Sequence, residues 1–127
     1  MDVRTVIDSI KLGRNTFLCI GPMSKICIDA AIEISKTYDI PQVLIASRPQ
    51  IDSADFGGGY VEGFTMETFV QYVRSQGANK VFIARDHAGP WQSKVEVENK
   101  FSSSEAMASA KASLASDIFA GVNFIHL

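Results

Sequence analysis

Apolar positions change their spacing along the chain, and each change marks an element. Val3, Val6, Ile7 and Ile10 recur at helical spacing, so a short helix opens the sequence and Gly13 ends it. Residues 16–20, "TFLCI", are an unbroken run of β-formers, the pattern of a fully buried strand, and "GPMS" turns the chain out of it. Ser24 is placed to cap a helix whose apolar face includes Ile28, Ala31 and Ile32. "QVLIA", residues 42–46, reads as a second buried strand, and a long polar loop follows over residues 47–64. Thr65 then caps a helix with Met66, Phe69, Val70 and Val73 on one face, closed by Gly77. "KVFIA", residues 80–84, is the third strand. Ser102 and Glu105 form a capping box for a helix lined by Met107, Ala110, Leu114 and Ile118, which Gly121 stops. "VNFIHL", residues 122–127, is the fourth strand.

The order is one helix followed by βαβαβαβ. Uniformly apolar strands alternating with amphipathic helices imply an α/β fold, a parallel sheet covered by helices. Two architectures fit: an open doubly wound sheet or part of a (β/α) barrel. The polar clusters favour the barrel, because they follow strands, at 47–52 and 85–92, while the helix-to-strand turns are bland. "IGPMS" after the first strand is no dinucleotide fingerprint. A closed barrel needs about 200 residues or more, and this chain has 127. The expectation is therefore a single domain over residues 1–127, the N-terminal half of a (β/α)8 TIM barrel with about four strands, truncated at its C-terminus. Its last strand would leave an open parallel edge. A free-standing half-barrel would be expected to pair with a second copy.

Composition narrows the function classes. Net charge is −2 and no basic stripe runs along the chain, which speaks against nucleic acid. No apolar stretch approaches a membrane span, and the acid-bearing N-terminus is unlike a signal peptide. Two cysteines without a CxxC spacing make no disulfide framework; the expectation is a cytoplasmic protein with Cys19 and Cys27 as small core residues.

Two polar clusters emerge where strands end. In "RDHAGPWQ", residues 85–92, His87 has the chemistry of a metal ligand and Asp86 that of a proton donor or acceptor. On a continuing pleat the two would diverge, and Gly89-Pro90 would supply the turn that joins them. The bland alternative is that Asp86 caps a turn and His87 bonds to backbone. Arg85 would hold a phosphate or carboxylate, or else pair with a loop acid. Trp91 is a pocket wall or a core aromatic. In "SRPQID", residues 47–52, Ser47, Arg48, Gln50 and Asp52 supply the many hydrogen bonds a polyol or sugar phosphate needs, with Gln92 from the other cluster. Gly57 to Gly59 would let backbone approach a ligand or form a hinge, or they are a solvated loop. His126 reads as a satisfied core residue and Ser24 as a cap.

The segments "VLIASRPQID", "FGGGYVEGFT", "RDHAGPWQ" and "AGVNFIHL" together resemble the non-catalytic subunit family of class II tagatose-bisphosphate aldolase, in order and over nearly the whole chain. The resemblance implies a (β/α)8 barrel in hexitol or hexose-phosphate metabolism, an accessory protein whose partner is the catalytic aldolase subunit, and an oligomer. By analogy with class II aldolases it makes Asp86 the proton-transfer residue and His87 a zinc ligand. Relatives similar to sugar 4-epimerases offer an alternative, a metal-dependent aldolase or epimerase acting on a sugar or sugar phosphate. The sequence departs from the family at "ARDH", where "GGDH" is usual, and at "GPMSK" after the first strand. His87 and His126 are the only histidines, so a three-histidine zinc site would require the missing C-terminal half.

Overall fold

Helix starts fall where the capping residues stand. In the computed structural model, which describes residues 2–13 and 16–127, the order is α1 (Val3–Lys11), β1 (Leu18–Ile20), α2 (Lys25–Tyr38), β2 (Gln42–Ser47), a single 3-10 turn (Ala54–Phe56), α3 (Met66–Ser75), β3 (Val81–Asp86), α4 (Lys94–Glu98), α5 (Ser103–Ala120) and β4 (Phe124–Ile125). Ser24 Oγ accepts from the Cys27 amide at 3.2 Å, closing the first turn of α2. Thr65 and Thr68 form a capping box on α3, and Ser102 and Glu105 one on α5. Gly121 takes a left-handed φ of 95° and terminates α5. The 3-10 turn lies in the stretch read from the sequence as a polar loop, and α4 precedes the capping box at Ser102.

The four strands form one parallel sheet in the order β1-β2-β3-β4. A doubly wound sheet reverses its strand order and carries helices on both faces. Here the order never reverses, and α2, α3 and α5 cover one face. Ile28, Ala31 and Ile32 of α2 and Met66, Phe69, Val70 and Val73 of α3 pack with Leu44, Ala46, Val81 and Ile83. That arrangement is a sector of a (β/α) barrel. The opposite, concave face carries Cys19, Val43, Ile45, Phe82, Ala84 and Phe124. Among the described residues, Val3, Val6 and Ile10 of α1 lie over it. Between α1 and the sheet an apolar groove of about 410 Å³ is lined by Ile10, Phe17, Cys19, Ile45 and Phe124, among others.

Two expectations about burial change accordingly. The strand at 16–20 is not fully buried: β1 is a short edge strand with Leu18 62% exposed, and Cys19 is exposed on the concave face while Cys27 is half-buried. The inward line of α5 is not Met107, Leu114 and Ile118 but Ala106, Ala110, Ser113 and Asp117. Its reason is ionic, because that face meets charge rather than a greasy core.

Arg85, one residue before the end of β3, faces the helix side with its side chain wholly buried. Asp117 receives it in a fork, from Nε and Nη2, each at 2.6 Å. Arg85 Nη1 donates to the carbonyls of Ile51 at 2.6 Å and Ala46 at 3.3 Å. Arg48, equally buried, donates to Asp52 at 2.9 Å and to Glu96 of α4 at 2.6 Å. Ser113 and Ser109 of α5 donate to Asp52 and Glu96. Asp52 Oδ1 lies 3.7 Å from Arg85 Nη2, which joins the two halves into one network. Burial pushes the Asp117 carboxyl above its usual range, against the pull of Arg85. Burial pushes Glu96 the same way, but the bonds from Ser109 and Arg48 outweigh it and hold that carboxyl below its ordinary value.

Removing one partner of a buried pair strands the other charge. Asp117→Ala should cost about 3–5 kcal/mol in urea unfolding, and the apolar pair Arg85→Met with Asp117→Leu should cost less. Equal losses would mean that Arg85 is not the group left stranded. Because the folded value of Glu96 is depressed, its stabilisation is complete above 4.5, the ordinary glutamate value, and is lost as pH falls through the lower folded value. The stability gap between the wild type and Glu96→Gln should therefore narrow below that pH, and a gap constant from neutral to acid would contradict it.

Candidate functional site

Strand alternation decides what reaches the mouth of the sheet. On the concave side β2 and β3 run through apolar residues and end polar. Ser47 closes β2 and Asp86 closes β3, opposite one another in register. Two residues beyond the inward Phe124 comes His126. Its backbone N–H donates to Arg85 O at 2.9 Å and its carbonyl accepts from Ala88 N at 3.2 Å, so the parallel ladder effectively continues past β4. The His126 ring, 63% exposed, brings Nδ1 to 3.0 Å from Asp86 Oδ1. His87 Nε2 lies 3.6 Å from the other oxygen, Asp86 Oδ2. The two imidazoles meet edge to face, 5.7 Å between centroids. One carboxylate thus stands between two imidazoles, bonded to His126 and 3.6 Å from His87, at the C-terminal ends of adjacent parallel strands, the position where barrels carry their chemistry.

His87 reaches Asp86 because its own backbone turns. Its φ is +46°, left-handed, so the side chain leaves the pleat and returns toward its neighbour. The turn expected of Gly89-Pro90 belongs to His87. Trp91 is also left-handed, at +58°, and its indole donates to Phe101 O at 3.0 Å. It is neither a core aromatic nor a wall of the groove, being 46% exposed. Strained residues at both ends of one short loop beside a polar cluster are the kind of device binding sites store.

The other expected residues divide by sheet face. Ser47 donates through its amide and its hydroxyl to Gln50 Oε1, at 2.9 and 3.1 Å, so these two stand together at the mouth. Arg48 and Arg85 do not fit the substrate-binding role expected of them, because their positions point to the helix-covered face and their guanidinium groups are spent in the buried network. Arg85 likewise adds no bulk to the mouth. Gln92 is exposed on the loop and makes no part of the Asp86 cluster. His126, read as a core residue, belongs to that cluster. The signal was available, since Phe124 faces the concave side and His126 is its period-two neighbour. Asp117 and Glu96 were also missed, although an arginine at the end of an apolar strand calls for a counter-charge.

Among the described residues no group of three histidines, cysteines or carboxylates is placed to hold a metal ion. His126 Nδ1 and His87 Nε2 face the Asp86 carboxylate rather than a common point. The residues present therefore do not fit a zinc site by themselves. No described helix is long and apolar enough to cross a membrane.

Among solved structures, the chain is similar to that of a probable tagatose 6 phosphate kinase from Sinorhizobium meliloti 1021, with a TM-score of 0.70 over 89% of this chain. Identity is 24%, so what the two share is the fold. The chain spans 28% of that protein's length. Neither a family model nor a curated protein matches the sequence.

The left-handed backbone at His87 yields a test free of side-chain chemistry. His87→Gly and His87→Ala lose the same ring, but only glycine relieves the φ of +46°. The glycine variant should be the more stable by about 1 kcal/mol in thermal or urea unfolding. Equal stability would show that the loop relaxes elsewhere.

Proposed function

We propose that this chain is the N-terminal part of a (β/α)-barrel protein of hexitol and hexose-phosphate metabolism, serving as an accessory, non-catalytic subunit beside a class II tagatose-1,6-bisphosphate aldolase. The observation that carries the reading is the polar layer on consecutive strand ends, Ser47 with Gln50 and then Asp86 with His87 and His126. It falls on the segments through which the sequence resembles the accessory-subunit family. The name of the fold neighbour, a tagatose 6 phosphate kinase, points to the same class of small molecule. Asp86 bonds to His126 through one oxygen and has His87 3.6 Å from the other, an arrangement suited to holding loops and ligand hydroxyls in place.

One feature of that cluster favours a second reading. A half-exposed carboxylate between two imidazoles is also an acid–base set, able to move a proton on a ketose once a ligand draws a ring away. On this reading the barrel is itself an aldolase or 4-epimerase of sugars or sugar phosphates, Asp86 carries the proton, and a metal on His87 would need ligands from outside the described residues.

Incubation with the catalytic aldolase subunit separates the two. An accessory protein should lengthen the half-life of ketose-bisphosphate cleavage at elevated temperature, and Asp86→Asn and His87→Ala should keep that effect. Loss of the effect in both variants, with cleavage or epimerisation by this protein alone, would favour the second reading. No effect of the wild type on the catalytic subunit would refute the first.

A further inference from the structure

Beside the Asp86 cluster, two good hydrogen-bond donors are spent on a poor acceptor. Gln50 Nε2 donates to the sulfur of Met23 at 3.0 Å, and Tyr60 Oη lies 3.7 Å from the same atom. A thioether is a weak acceptor. Gln50 is not free to turn toward something better within the fold. Gln50 Oε1 accepts from the amide and the hydroxyl of Ser47, which fixes the side-chain amide with its N–H₂ outward. Tyr60 is fixed through its backbone. Its N–H donates to Pro49 O at 3.2 Å, and the next N–H, of Val61, donates to Gln50 O at 3.1 Å. Gly59 makes this docking possible, because a Cβ there would lie 1.9 Å from Gln50 O. The glycine run thus carries Tyr60 onto the Gln50 loop. Met23 is the mobile member, unbranched and 59% exposed, and Tyr60 is 61% exposed, so the sulfur can leave without opening the core.

We propose that Gln50 Nε2 and Tyr60 Oη form a two-donor subsite for a neutral oxygen of a polyol or ketose, a hydroxyl or carbonyl, which displaces the Met23 sulfur. Lys94 lines a cavity with Tyr60 and pairs with Glu98 at 3.6 Å, and three further cations are engaged elsewhere. Arg48 and Arg85 are consumed in the interior, and Lys25 is held at 2.6 Å by Asp29 and at 2.7 Å by Tyr72. Gln50 Nε2 and Tyr60 Oη are both neutral donors, and such donors suit a neutral oxygen better than a phosphate. The choice of a sugar rests on the proposed function. Ser47, bonded to Gln50 and opposite Asp86, joins the subsite to that cluster.

The test is a titration of protein labelled with [methyl-¹³C]methionine, which carries four methionine signals, that of Met23 assigned by its loss in Met23→Leu. D-tagatose should move the Met23 methyl saturably, and inorganic phosphate should leave it in place. Gln50→Glu keeps the acceptor for Ser47 but removes the donor, and Tyr60→Phe removes the hydroxyl; each should weaken tagatose binding by about three- to tenfold. Met23→Leu, read through the His126 ring signals, should tighten binding by about threefold, because the donors then await the ligand unpaired. A Met23 signal unmoved by tagatose, an equal response to phosphate, or weaker binding by Met23→Leu would each overturn the proposal. Tagatose that shifts the His87 and His126 rings but not Met23 would sink this subsite and leave the sugar reading standing. A Met23 response in a protein that does nothing for the aldolase would do the reverse.

Discussion

A guanidinium without water must find its counter-charge, and the position of Arg85 makes that requirement organise the molecule. The side chain enters the layer between sheet and helices, where an unpaired charge would cost a large part of the fold's margin of stability. Asp117 answers it from one turn before the end of α5, which sets that helix's rotation about its own axis. The same rotation aims Ser113 at Asp52 and Ser109 at Glu96, so the Arg48 network and α4 follow. Once α5 is set, its C-terminal glycine delivers β4 beside β3 and brings His126 to Asp86. The polar mouth on one face is thus positioned by ion pairs on the other.

Most of the fold was legible because its determinants are local. Ser24, Thr65 and Ser102 cap where their side chains predict, and the apolar faces of α2 and α3 are those that period 3.6 selects. What stayed hidden depends on contacts far apart in sequence. Helix α5 misled because Met107 and Ile118 are apolar yet exposed, while its buried face is made of alanine, serine and aspartate. No local period reveals a helix that buries charge. The edge position of β1 was likewise invisible in "TFLCI", since an apolar run does not say how many neighbours a strand will have.

The site was half legible for the same reason. Residue type and place marked Asp86, His87, Ser47 and Gln50 well enough to single them out. Facing could not be assigned to the arginines, because the side a strand-end residue takes depends on register with strands not yet placed. Arg48 and Arg85 therefore looked like ligand groups and are structural ones. His126 looked structural and stands in the cluster, and Tyr60, lost in a glycine-rich loop, is carried to Gln50 by the close approach at Gly59.

Sheet order has a consequence in time as well as in space. Each strand pairs with the one made just before it, so none waits for a later partner. During synthesis the sheet can therefore lengthen from its N-terminal edge, every new βα unit docking on a template already formed. The last pairing brings in His126, and with it the second imidazole of the mouth. On the ribosome, the polar layer would be the last feature of this segment to mature.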